Sequence, residues 1–153
     1  MIWYKILLKA NGIEYGKNLK LRGIPVIFNK KGATLRIGNN VTIKSSFLSN
    51  LIGLYQRTII VTRTCEAEIE IGNDVGISGA TIYARKKVIV GDRTLIGGNA
   101  KILDNDFHPI DVNKRNKLMR GGRTGERGDG VLDWNKANCN WKRLLYRHKC
   151  NNS

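Results

Sequence analysis

Proline is almost missing from this chain, with two in 153 residues, and the 41% hydrophobic and 25% charged composition is not that of a disordered or fibrous protein. Cysteine is scarce as well. Cys65, Cys139 and Cys150 are odd in number and lack metal-like spacing, which argues against a disulfide framework or a zinc site and fits a reducing compartment. Neither a catalytic thiol nor a bound metal is expected. Long hydrophobic runs are also lacking: Lys5 interrupts the apolar opening MIWYKILLKANG and no small-residue cleavage site follows. Neither a signal peptide nor a transmembrane segment is therefore read, and the cytoplasm is the expected compartment, with a peripheral place at the inner face of the membrane as its variant. Acid is the scarcest charge. Twelve Asp and Glu face 27 Lys and Arg, a formal net charge of +15. Such an excess attracts phosphates, nucleic acid, anionic lipid or acidic glycans without choosing among them, and the plain alternative is basic residues solvated around an ordinary fold. Nothing resembles a helix-turn-helix, a zinc finger or an aromatic RNA-binding signature, so no nucleic-acid partner is expected.

What the chain does have is an internal repeat, the feature that decides a fold before any other. Residues 37–43 (IGNNVTI), 71–77 (IGNDVGI) and 90–96 (VGDRTLI) match. In each, an aliphatic residue precedes Gly and then Asn or Asp, a small or β-branched residue stands four positions after the first aliphatic, and the next aliphatic comes at six. A period of six fits neither strand alternation, nor a heptad, nor a 3.6-residue helix. It suits a solenoid of short strands whose coils have three sides of one hexad each, the aliphatics stacking inward and Gly, Asn or Asp taking corners where φ is positive. With three hexads to a coil, the step from Ile37 to Ile71 reads as two coils and the step from Ile71 to Val90 as one. Ile24, Val41, Val75, Thr94, Ala100 and Ile102 are further inward candidates.

This pattern resembles the hexapeptide-repeat acyltransferases over residues 33–126. The resemblance implies an all-β fold, the left-handed parallel β-helix. The expected organisation is a lead-in with a first irregular coil over 1–32, the repeat over 33–103, an active-site loop over 104–126 and a basic tail over 127–153. By itself the repeat identifies a scaffold and not a reaction.

The chemical signal follows the third copy, where KILDNDFHPIDVNKRN breaks the hexad and carries the first of two histidines. Long aperiodic segments in compact domains are usually functional or disordered. HPID at the end of a coil resembles the active-site segment of sugar O-acetyltransferases of this fold, such as the maltose and galactoside enzymes and those acting on O-antigens and capsules. That resemblance implies His108 as general base, acetyl-CoA as acyl donor, a sugar or polysaccharide hydroxyl as acceptor, and a homotrimer with active sites between neighbouring β-helices. A sugar hydroxyl is a weak nucleophile, and an imidazole with an ordinary pKa near 6.5 can take its proton at neutral pH. The second ring nitrogen needs an orienting partner, for which Asp104, Asp106 and a backbone carbonyl all stand open. Ser78 falls where the maltose and galactoside enzymes have an active-site asparagine, a departure that leaves its hydroxyl to bind acceptor or oxyanion, or to be a plain corner residue. Tyr83 and Arg85 are expected on the same wall. Asp111, Lys114 and Arg115, with Lys117, Arg120 and Arg123 beyond them, are candidates for substrate or CoA phosphates.

After Glu126 the pattern stops, and RGDGVLDWNKANCNWKRLLYRHKCNNS contains no hexad. One choice of codons for residues 134–152, read one base later, gives GTKQIVIGKDCYIGINAI. That string parallels the chain's own KKVIVGDRTLIGGNAKI over residues 86–102. The glycine read across Trp141 and Lys142 is unavoidable, and the isoleucine before it needs one of two Asn codons. The expectation is a slip of frame between residues 127 and 133 in a gene for a longer acetyltransferase. The competing function is a non-catalytic β-helix, either a truncated remnant or a scaffold.

Overall fold

The computed structural model describes residues 2–119, and the basic tail lies outside the described residues. Two units divide the chain, Met1–Asp104 and Asn105–Ser153. The first is a parallel β-helix. A helix α1 (Ile2–Ala10) precedes twelve short strands: β1 (Ile13–Tyr15), β2 (Lys20–Arg22), β3 (Val26–Asn29), β4 (Thr34–Ile37), β5 (Thr42–Lys44), β6 (Ile59–Thr62), β7 (Glu68–Ile71), β8 (Gly76–Ser78), β9 (Thr81–Ala84), β10 (Lys87–Val90), β11 (Leu95–Ile96) and β12 (Lys101–Leu103). They form three four-stranded sheets in the orders β1-β4-β7-β10 (sheet A), β2-β5-β8-β11 (sheet B) and β3-β6-β9-β12 (sheet C). Every third strand is thus a neighbour, and the described unit contains four coils of three strands.

Parallel register converts the hexad into columns of stacked side chains. Ile13, Leu35, Ile69 and Val88 are successive partners in sheet A. Leu21, Ile43, Ile77 and Ile96 stack in sheet B, and Ile27, Ile60, Ile82 and Ile102 in sheet C. The middle members of these columns are almost wholly buried, and each such aliphatic side chain contributes about 1.5–3 kcal/mol. Val41 and Val75 are buried as the sequence suggests, while Thr94, Ala100 and Ile102, in the last described coil, are partly buried. Ile24 is different. It follows Gly23 at the turn between sheets B and C, is 41% exposed, and leaves the inward place to Ile27.

The long step from Ile37 to Ile71 also has another origin. The two isoleucines are direct register partners, so the chain between them makes one coil and not two. The excess is an insertion between β5 and β6, containing a single 3-10 turn at Phe47–Ser49. From Ile71 to Val90 the chain again closes one coil, this time within one residue of the length that three hexads require.

The corners explain the motif itself. Asn18, Asn40, Asp74 and Arg93 turn from sheet A to sheet B with φ between 57° and 62°. The preceding glycines do not need positive φ. They let coils approach: a Cβ on Gly38 would lie 2.6 Å from the Gly72 carbonyl oxygen and 2.9 Å from the Asn73 nitrogen. Between glycine and turn residue, side chains stack along the axis. The Asn73 carboxamide oxygen accepts the backbone N–H of Asn39 at 2.9 Å, and Asp92 Oδ1 accepts that of Asn73 at 2.6 Å.

The first coil is regular, and α1 packs on it. Tyr4 and Leu8, one turn apart, are buried in the core while Trp3, Ile6 and Leu7 remain exposed. The Tyr4 hydroxyl donates to the Pro25 carbonyl at 2.7 Å, and burial pushes its pKa up. No helix among the described residues is long and apolar enough to cross a membrane.

Candidate functional site

Sheet B carries an outward groove of about 440 Å³. Its floor follows from side-chain size in two outward rows. One row runs Lys20, Thr42, Gly76 and Leu95, the other Arg22, Lys44 and Ser78, with Gly97 just past the last strand. Gly76 supplies no side chain, Gly97 supplies none either, and Leu95, 83% exposed, forms a wall. Lys44 and Ser78 are register partners on adjacent strands, about 4.8 Å apart across the sheet. Their side chains emerge on one side, so a cation and a hydroxyl meet in a trough that Asn40 and Asp74 also line, a setting that accepts a small polar group. Lys44 escaped the sequence reading. Stacking IGNNVTIKS on IGNDVGISG places it opposite Ser78, and that alignment was available in the repeat.

Tyr83 and Arg85 do not share this wall. Tyr83 lies on β9 in sheet C, one corner away from Ser78, with Val61 and Leu103 as its register partners. Gly79 makes that corner with φ of 53°. Strand alternation then sends Tyr83 outward from another side of the β-helix.

Asp104 has a structural task. Its carboxylate accepts the backbone N–H groups of Arg85, Lys86 and Lys87 at 2.6–2.9 Å, closing the turn from sheet C to sheet A one coil earlier. Arg85 therefore meets Asp104 through its backbone.

The second unit begins with the histidine segment. Phe107 adopts φ of 58°, and the His108 backbone N–H donates to the Asp106 carbonyl at 2.6 Å, a three-residue turn. The Asn105 side-chain oxygen accepts the Phe107 N–H at 3.1 Å. A bulky aromatic at positive φ is a strained exception among L residues, costing roughly 1–3 kcal/mol, and such strain concentrates at functional sites. His108 itself is exposed.

Asp111 begins a helix, α2 (Val112–Met119). Its carboxylate accepts the Lys114 N–H at 2.8 Å and its carbonyl the Arg115 N–H at 3.0 Å, the geometry of an N-cap. The expected loop is thus helical from Val112, with Lys114 and Arg115 exposed on it. Arg120 and Arg123 lie outside the described residues, as do the side-chain surroundings of Lys117. Among the described residues no group of three or more His, Cys, Asp or Glu is arranged to hold a metal ion.

The predicted residues accordingly fall into two sets. Ser78, Tyr83, Arg85 and Asp104 belong to the β-helix unit, and Asp106, His108, Asp111, Lys114 and Arg115 to the unit that follows it. No family model matches the sequence, and no curated protein or solved structure matches it either.

Proposed function

We propose that the chain derives from the hexapeptide-repeat acyltransferases and that its chemistry is acetyl transfer from acetyl-CoA to a sugar hydroxyl of a bacterial surface polysaccharide or its precursor. The working assembly in this reading is a homotrimer in the cytoplasm. The observation that carries the reading is the strained turn of residues 106–108, directly after the last β-helix strand, which presents the histidine of the HPID segment. The parallel β-helix supports it as the scaffold on which that segment is expected.

In the reaction His108 takes the hydroxyl proton as the sugar oxygen attacks the thioester carbonyl carbon. The C–S bond then breaks, the ester forms, and the imidazolium returns its proton to the departing thiolate. Base catalysis of this kind is typically worth about 10²–10⁴ in rate. Asp106, whose carbonyl already holds the His108 backbone, is the remaining acidic candidate for orienting the ring in the same turn. Asp104 is better read as a corner clamp, and Asp111 as a helix cap. Lys114 and Arg115 on α2 are the cations proposed for CoA phosphates, and in the β-helix unit Ser78 with Lys44 is proposed as a separate polar binding groove.

A second reading, a non-catalytic β-helix, is favoured by the sequence beyond Glu126, which lacks the hexad in this frame and regains it one base later under one choice of codons. Calorimetry with acetyl-CoA on this chain and on a version with the frame restored after Glu126 separates the two. Binding by the restored protein alone is the expected result and would make this chain a truncated acetyltransferase that keeps its base while the tail costs it the acyl donor. Binding by neither removes the acyltransferase reading, and binding by both removes the claim that the tail costs the chain its acyl donor.

A further inference from the structure

The insertion at residues 45–56 has the form of a held knuckle. Its base is fixed by buried polar groups: the Thr58 hydroxyl donates to the Lys44 carbonyl at 2.8 Å and accepts the Gly79 N–H at 3.1 Å, while Ser45 Oγ accepts the Thr58 N–H at 3.2 Å. Leu54 is 4% exposed against Gly79 and Gly98, and the Gln56 carboxamide donates to the Thr81 hydroxyl at 2.9 Å. With one leucine spent on anchoring, the other large apolar residues face outward. Phe47, Leu48, Leu51, Ile52 and Tyr55 are 62–97% exposed. A loop of ordinary solvated character would be polar here. A contiguous apolar tip of this kind marks a docking element.

Charge indicates what it docks on. No charged residue occurs from Ser45 to Gln56, and Lys44 and Arg57 bound that stretch. Arg22 lies beside Lys44 in the same outward row. Most carboxylates of the β-helix unit are elsewhere: Glu14, Glu68 and Glu70 on sheet A, Glu66 just before it, and Asp92 and Asp104 at the corners that border it, while Asp74 lines the far side of the sheet B groove from Ser78. An uncharged apolar tip bounded by Lys44 and Arg57 with Arg22 beside them matches an anionic lipid interface, where hydrocarbon takes the tip and headgroups pair with the cations. A two-fold contact would set these cations against their own copies and repel them, while a trimer contact joins different faces and is told apart by sedimentation velocity.

We propose that this knuckle docks the protein on an anionic membrane surface. This inference gives a peripheral location a specific surface and does not depend on the acyltransferase reading. The test is co-sedimentation of the full chain with phosphatidylcholine vesicles, with and without phosphatidylglycerol. Binding is expected only with phosphatidylglycerol and weakens with salt. The double substitution Leu48→Ser and Leu51→Ser is expected to lower partitioning by about tenfold or more while the melting temperature holds. Arg57→Gln lowers it less and flattens the salt dependence. Absence of binding to the anionic vesicles overturns the proposal, as does binding that the serine pair leaves unchanged. Sedimentation velocity on the same proteins provides the third outcome: self-association abolished by the serine pair, with no vesicle binding, assigns the knuckle to a second copy instead.

Discussion

The two corners on either side of sheet B differ in kind. From sheet A to sheet B every coil turns alike, through Asn18, Asn40, Asp74 and Arg93, with glycine and an Asn or Asp stacked just before the last three. From sheet B to sheet C the turns are Gly23, a long insertion, Gly79 and Asn99. The first corner is welded by coil-to-coil contacts too close for a side chain. The second is equally close where Gly23 meets the backbone of Ser46 and Gly79 meets the Gln56 carbonyl, yet it differs from coil to coil and carries a loop that leaves the register on either side undisturbed. One corner thus repeats the same turn in every described coil while the other varies, and the knuckle and Ser78 of the groove both lie at the variable corner.

The largest expected break in this comparison comes from Gly38→Ala. Its Cβ would meet backbone atoms of Gly72 and Asn73, so the coils must part, at about 1–3 kcal/mol and with a lower melting temperature. Gly53→Asn in the knuckle, where φ is 87° and nothing lies within 4 Å, is expected to melt with the parent because asparagine tolerates left-handed backbone. Equal losses from both would refute the claim that the repeated corner is packed more tightly than the knuckle tip. A smaller effect is expected from Asn73→Ala, which removes the acceptor of the Asn39 N–H and costs about 1 kcal/mol by denaturant titration. Retention of full stability would mean that the polar stack is ornamental.

The smallest effect is electrostatic and lies on the outer face of sheet A. Arg36 bridges Glu14 and Glu70 at 3.1 and 3.2 Å, and Lys87 meets Glu68 at 2.9 Å. The hydrogen bond from Lys87 holds the Glu68 carboxyl below its ordinary value, and the same bond raises the Lys87 ammonium. A depressed carboxylate stabilises above its ordinary range and loses that contribution as pH falls through the lowered value. The raised ammonium loses its contribution as pH rises through its own. Glu68→Gln is therefore expected to lower the melting temperature slightly at neutral pH and low salt, with the difference closing in acid. A difference that persists undiminished in acid would show that the glutamate acts through packing instead. These groups are solvent-accessible, so salt should shrink the effect.

How much of this was legible beforehand depended on periodicity. The β-helix could be read because Ile37, Ile71 and Val90 recur in one register with the same two neighbours. The insertion could not, because its strand TIIVT carries no glycine corner, and the step from Ile37 to Ile71 imitates two coils. Helix α1 has nine residues, with Lys5 and Lys9 as its only charged positions, and α2 has eight, with its apolar residues Val112, Leu118 and Met119 confined to the ends, so both are too short for a helical stripe to stand out. The histidine segment stood out by breaking the hexad. The tasks of Asp104 and Asp111 did not, since a carboxylate that caps backbone N–H groups and one that serves a reaction are identical in sequence.

The central claim is that His108 acts as a base in acetyl transfer. The direct measurement is CoA release from acetyl-CoA in the presence of a panel of sugars, by the frame-restored protein and by its His108→Asn variant, with donor binding followed by calorimetry. The account predicts a rate lower by about 10²–10⁴ in the variant with donor affinity retained. A variant that turns over at the parental rate, or a restored protein that transfers to no sugar, would contradict it.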